Sequence, residues 1–113
     1  MADTLFTKII NKQIPADIVY EDDLCLAFKD VNPQAPVHIL LIPKQPLDML
    51  SNARVGDQAL LGHLLLVVGK ITRELKIDGA FRVVINNGKE GGQAVFHVHL
   101  HILAGRRFRW PPG

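Results

Sequence analysis

The sequence predicts a mixed helix-and-strand domain of the α+β class, and three observations carry that expectation. Asp57–Lys76 sets Leu60, Leu61, Leu64, Val67, Val68, Ile71 and Leu75 at helical spacing, with Lys70, Arg73, Glu74 and Lys76 between or after them. Five shorter runs have strand character, and the first two are separated only by the acidic turn Glu21-Asp22-Asp23, the spacing of an antiparallel hairpin. The 113 residues suffice for one core, so a single domain over 1–113 is expected. A domain of this size buries only roughly 65% of its unfolded surface, which makes a partner subunit a natural source of further stability.

In chain order, Asp3 or Thr4 caps a short helix in which Phe6, Ile9 and Ile10 recur at i, i+3 and i+4 before Pro15 stops it. Strands are expected over Ile18–Tyr20 and Leu24–Phe28, with Asn32-Pro33 ending the second. Val37–Ile42 is almost continuously apolar, as in a central strand covered on both faces, and Pro43 closes it because proline donates nothing to a ladder. Inside the long helix Gly62 and Gly69 each cost about 1 kcal/mol relative to alanine, which predicts close packing against the sheet as compensation. Gly79 ends that helix or its connection. Phe81–Ile85 then runs into Asn86-Asn87-Gly88, a glycine-rich loop extends to Gln93, and Val95–Leu103 forms the last strand before Gly105 opens an aromatic, basic tail.

Composition narrows the function classes. The formal net charge is +2, and the cations are scattered until Arg106, Arg107 and Arg109, which argues against nucleic acid as the main partner. Cys25 is the only cysteine, so no internal disulfide forms, and Leu24, Leu26 and Ala27 around it describe a buried thiol. Met1–Lys8 contains Asp3 and lacks an apolar signal core. No sequence run approaches the roughly 20 apolar residues that span a bilayer, so no membrane partner and a cytoplasmic location are expected.

Chemistry concentrates in one segment. His97, His99 and His101 alternate with Val98, Leu100 and Ile102, and successive strand side chains point to opposite faces, so the three imidazoles share one side. Three readings compete. Histidines on a half-exposed strand can be satisfied polar groups, although strict alternation of three is an unusual way to achieve that. Alternating histidines can also supply zinc, but a rise of about 3.3 Å per residue spreads the outer pair over roughly 13 Å, and the flanking sequence offers no cysteine, Asp or Glu. The third reading is nucleophilic or acid–base chemistry near neutral pH, with His99 central and its neighbours about 7 Å away. Gly88, Gly91 and Gly92 allow main-chain N–H groups to converge on an anion, a weak signal that an ordinary flexible loop shares. Asn86 can donate to a phosphate oxygen or simply form a turn, and His38, alone in an apolar strand, needs a hydrogen-bond partner.

His97-Val98-His99-Leu100-His101-Ile102-Leu103 resembles the His-φ-His-φ-His-φ-φ signature of the histidine triad (HIT) superfamily, φ being apolar. The likeness extends through Phe6–Pro15, Glu21-Asp22-Asp23, Phe28–Pro36, His38–Pro43, Gly91-Gly92-Gln93 and Trp110-Pro111-Pro112-Gly113, and is greatest to the Hint branch of nucleotide-binding proteins. The resemblance implies a five-stranded antiparallel sheet with one long and one short helix, paired into a homodimer with a ten-stranded sheet. It implies hydrolysis of purine nucleoside 5′-phosphoramidates, AMP or GMP derivatives, with neither cofactor nor metal. By the same resemblance His99 is the nucleophile, oriented by the carbonyl of His97, and His101 and His38 flank the α-phosphate. Asn86 and the backbone of Gln93, Ala94 and Val95 contact phosphate, while Asp30 accepts from the ribose hydroxyls. Phe6, Ile9, Ile14, Phe28, Val31 and Ile39 sit where the family builds its nucleobase cleft, although Ile39 reads equally well as plain core. Trp110 resembles the tail residue that reaches towards a partner's site. Ala94 departs from the serine of the best-known animal members, which bears on the leaving group. A low-turnover nucleotide-binding regulatory module and a dinucleoside polyphosphate hydrolase are the alternatives.

Overall fold

Val37–Pro43 (β3) runs through the middle of a five-stranded antiparallel sheet in the computed structural model, which describes residues 3–113. On one side lie β2 (Cys25–Lys29) and then β1 (Ile18–Glu21); on the other lie β5 (Leu100–Ala104) and then β4 (Phe81–Val84) at the edge. A central strand is shielded by neighbours and by both layers packed on it, and every residue of β3 after Val37 is buried.

Alternation divides β3 between two cores. Leu40 and Ile42 join Leu26 and Phe28 under α1 (Leu5–Ile10), whose Phe6 and Ile9 complete the cluster. Ile39 and Leu41 join Cys25, Ala27, Leu100 and Ile102 under α2 (Gln58–Glu74), which contributes Leu64, Val67, Val68 and Ile71 at helical spacing. With its 3₁₀ lead-in, Val55–Glu74 is long and apolar enough by length and composition to cross a bilayer, although polar residues interrupt any continuous apolar run in it. Its buried stripe packs on the sheet, as in a core helix. The outward face carries Leu65, 60% exposed, and Leu66, 76% exposed. The expected packing of the helical glycines is not found: a Cβ on Gly62 would meet nothing within 4 Å, and one on Gly69 only the Arg73 side chain. No sheet atom approaches either position closely enough to require glycine there.

The short helix begins at Thr4, not Asp3. The Thr4 hydroxyl accepts from the Phe6 and Thr7 N–H groups, and the Thr7 hydroxyl accepts from the Thr4 N–H, a reciprocal cap. Only six residues long, α1 depends on that cap and on its buried pair. Thr4→Ala is expected to lower stability by about 0.5–2 kcal/mol in urea unfolding, with the N-terminal segment becoming more open to proteolysis than the sheet.

The last strand is shorter than the expected Val95–Leu103. Pairing with β3 starts at Leu41 opposite Leu100 and runs to Val37 opposite Ala104. Beyond Leu100 the ladder would need a donor at Pro43, which has none, and the Val98 N–H instead donates to the Leu47 carbonyl at 2.7 Å. His97 and His99 therefore stand just outside the ladder, on a segment free to bend. After β5, Gly105 adopts φ +91°, and a Cβ there would lie 2.8 Å from the Pro36 side chain, so this turn requires glycine on both counts.

Candidate active site

Beneath α1 the sheet opens into a cleft of about 340 Å³. Phe6, Ile9, Ile14, Phe28 and Val31 form its apolar walls, and Asp30, Ala94, Val95, His99 and His101 provide its polar end. Ten of the residues singled out from the sequence thus meet in one hollow. Leu5, Pro15 and Leu40 complete the lining. Leu40 was readable in principle, because the two-residue period of β3 puts it on the same face as His38.

The predicted common side of the imidazoles holds: Phe6 meets His97 and His99 edge-on with ring centroids 6.0 and 5.0 Å away, and His99 lies 5.0 Å from His101. Their hydrogen bonds nevertheless differ, and each bond fixes a tautomer of the neutral ring. His99 Nδ1–H donates to the His97 carbonyl at 2.7 Å, leaving the lone pair on Nε2. His97 itself is fully buried, its Nε2–H donating to the Pro43 carbonyl at 2.7 Å. Its ring does not line the cleft; its carbonyl is what holds His99.

His38 and His101 meet diagonally across β3 and β5, because Leu40 stands opposite His101 and His38 opposite Leu103. The Gln34 N–H donates to His38 Nδ1 at 3.0 Å, so the His38 proton sits on Nε2, which lies 2.9 Å from His101 Nδ1. His101 then carries its own proton on Nε2. That buried N–H has no partner among the described residues, and it belongs to a side chain that lines the cleft. Asp30 Oδ2 approaches His38 Nε2 to 3.4 Å, so a carboxylate does border the histidines, contrary to the expectation from the flanking sequence. Asp30, His38 and His101 hold donor atoms within 4.8 Å of one another. Both nitrogens of His38 and Nδ1 of His101 are engaged in hydrogen bonds, which join the two rings into a proton chain.

Burial keeps these rings neutral. It lowers the pKa of His38, His97 and His99 below the usual imidazole value, and Asp30 partly opposes the shift at His38 and His99. His101 is pushed furthest, to about 4, by burial and by its neighbours His99 and His38. Between about pH 6.5 and 4 the unfolded chain therefore binds more protons than the folded one, so stability falls as pH drops through that window. Urea midpoints at about pH 7.5 and about pH 5 are expected to show the loss, and a flat profile would contradict it.

Several anticipated contacts lie elsewhere. Gln93 turns its side chain inward, donating to the Asp48 and Val95 carbonyls and accepting from the Gly88 N–H, while its own N–H donates to the Gly88 carbonyl. It fixes the loop; the N–H groups of Ala94 and Val95 are left without a partner among the described residues. Asn86 leans on Gly92, Nδ2 lying 3.4 Å from that carbonyl, and is not in the cleft wall. Ile39 belongs to the core under α2. Trp110 is 83% exposed and stands beside Arg107, Phe108 and Arg109, outside this chain's own cleft.

A histidine cluster at the mouth of an apolar cleft, on one face of a five-stranded antiparallel sheet, defines a narrow structural class. Residues 11–108 match the HIT domain model. The chain is 68% identical to an uncharacterized HIT-like protein of Synechocystis sp., over 98% of this chain and 97% of that protein. It is 49% identical to the 14 kDa zinc-binding protein of Brassica juncea, over 98% and 100%. The fold matches the crystal structure of a HIT family hydrolase from Legionella pneumophila with a TM-score of 0.95 and 41% identity, over 98% and 100% of the two chains. It matches the histidine triad nucleotide-binding protein from Candida albicans with a TM-score of 0.83 and 32% identity, over 98% and 85%. The chain belongs to the HIT domain family.

Proposed function

We propose that this protein hydrolyses purine nucleoside 5′-phosphoramidates, such as adenosine 5′-monophosphoramidate, to the nucleoside monophosphate and an amine. The observation that carries the reading is the tautomer of His99: a main-chain carbonyl holds Nδ1–H, so a neutral Nε2 lone pair is left to the cleft-lining ring. That lone pair attacks phosphorus, the P–Nε2 bond forms and the bond to the amine breaks. His101 Nε2–H donates a hydrogen bond to the departing nitrogen, which takes its proton from solvent and leaves as the amine, while His38 Nε2–H keeps its bond to His101 Nδ1, so both rings stay neutral. Water then attacks phosphorus as the P–Nε2 bond breaks, its proton passes to solvent, and the nucleotide leaves with His99 restored.

In this reading the apolar walls from Phe6 to Val31 take the purine, Asp30 takes the ribose hydroxyls, and the Ala94 and Val95 N–H groups take phosphate oxygens. Ala94 offers the leaving group no hydroxyl. A homodimer is part of the same proposal: Leu65 and Leu66 are exposed on α2, and β4 is an unpaired sheet edge. The Trp110 tail then projects towards the second subunit.

The test is release of AMP from an alkyl or aminoacyl adenosine phosphoramidate, with chelator present, beside the same measurement on a diadenosine polyphosphate. Preferential turnover of the phosphoramidate is expected. Faster turnover of the dinucleotide would shift the assignment to a polyphosphate hydrolase, and binding without turnover of either would leave a nucleotide-binding module.

A further inference from the structure

On the other side of the sheet from the cleft, Asp22, Cys25 and His63 bring a carboxylate, a thiol and an imidazole together, each offering a donor atom within 4.8 Å of the others. They come from the β1–β2 turn, the first residue of β2 and the second turn of α2. Asp22 is the hub. Its Oδ1 accepts from the Leu24 N–H at 2.8 Å, the Cys25 N–H at 2.9 Å and the Cys25 thiol at 3.3 Å. Its Oδ2 accepts from the Tyr20 hydroxyl at 2.8 Å and from His63 Nε2–H at 2.7 Å. Two of these shared protons, on Cys25 Sγ and His63 Nε2, occupy atoms that ligate borderline-soft divalent metals once the proton is gone.

We propose that Asp22, Cys25 and His63 form a zinc-class divalent cation site, distinct from the histidine cleft and independent of its chemistry. Zinc bonds of about 2.0–2.3 Å in a tetrahedron separate ligand atoms by roughly 3.3–3.8 Å. The 2.7 Å contact between His63 and Asp22 must open by roughly half an ångström, and the widest separation, 4.8 Å at most, must close by about one. Side-chain rotations accommodate both changes. Thiolate and carboxylate together balance the two positive charges, a balance that the single carboxylate beside His38 and His101 does not supply. The Tyr20 hydroxyl donates to Asp22 Oδ2 and steadies that carboxylate, and the partly exposed side of Asp22 and His63 gives the ion, and water for a fourth position, a way in.

Without a cation the thiol is held protonated, its pKa pushed up to about 12 by burial and by the Asp22 carboxylate, while Lys44 pulls slightly the other way. Lys70 covers the Tyr20 ring at 5.1 Å, and Glu74 adds negative potential near the Tyr20 hydroxyl. A bound dication replaces the hydrogen bond that raises the thiol pKa with a positive charge, and a coordinating thiol deprotonates outright. Binding then releases the Cys25 proton to solvent, and with Nε2 bonded to the ion the His63 ring proton sits on Nδ1. Affinity therefore rises with pH.

Because Cys25 is the sole cysteine, one spectrum reports the site. Cobalt(II) added to the full-length wild-type protein is expected to give a near-ultraviolet thiolate-to-cobalt charge-transfer band that zinc bleaches. Zinc affinity, measured by competition with a chromophoric chelator, is expected to fall in both Cys25→Ala and His63→Ala by more than the roughly 10–100-fold that loss of an outer-shell partner costs. His101→Ala is expected to keep it. No charge-transfer band, unchanged affinity in Cys25→Ala, or affinity lost only in His101→Ala would overturn the site, the last result moving the cation to the cleft. Should Cys25→Ala not fold, the wild-type band and the partly exposed His63→Ala carry the same decision.

Discussion

Replacing His99 by alanine is expected to reduce hydrolysis of an adenosine phosphoramidate by more than the roughly 10²–10⁴-fold that a positioned proton-transfer group contributes. The excess arises because the variant loses the atom that bonds to phosphorus, and with it the two-step route. Nothing nearby can stand in. His101 offers the cleft an N–H and not a lone pair, since its Nδ1 faces His38, and the His97 ring is sealed against Pro43. Rapid quenching without acid, followed by mass spectrometry, is expected to show a nucleotidyl adduct on His99 of the wild type and none on the variant. A variant rate equal to wild type would rule the covalent mechanism out.

His97→Ala is expected to give the opposite pattern. The ring is fully buried, and its removal strands the Pro43 carbonyl, a loss of about 1–3 kcal/mol. The space vacated beside Phe6 brings the total destabilisation to about 2–5 kcal/mol, as for other large-to-small truncations inside a core. Because the contact to His99 comes from the main chain of residue 97, kcat of the folded fraction is expected to stay within about one order of magnitude of wild type. Urea unfolding and single-turnover assays separate the two effects. Unchanged stability with a collapsed kcat would mean that the His97 ring takes part in the chemistry.

These two histidines look alike in the sequence, which explains what was legible and what was not. Period-two alternation correctly gives the shared face of His97, His99 and His101 and the two-sided burial of β3. It carries no information on which nitrogen each ring spends, because those bonds go to carbonyls of Pro43 and His97. The missing N–H of Pro43 closes β3, as expected, and also ends the pairing of β5, which therefore starts at Leu100 and not at Val95. The apolar walls are readable from the resemblance, whereas nothing in the local pattern announces that the side chains of Asn86 and Gln93 brace the glycine loop. The meeting of Asp22 and Cys25 with His63 spans 41 residues between the hairpin turn and a helix, and no local pattern announces it.

The turn at Gly105 has a bearing on the proton chain that its distance from the cleft conceals. Gly105 leaves no room for a side chain beside Pro36, and the next residue, Arg106, donates from Nε to the Gln34 carbonyl at 3.2 Å. The N–H of the same residue, in the preceding peptide group, dictates which nitrogen of His38 is bare. The C-terminal tail thus acts as a remote brace for a cleft-facing donor two imidazoles away, and a bulkier residue at 105 is expected to disturb that donor by dislodging a loop outside the cleft.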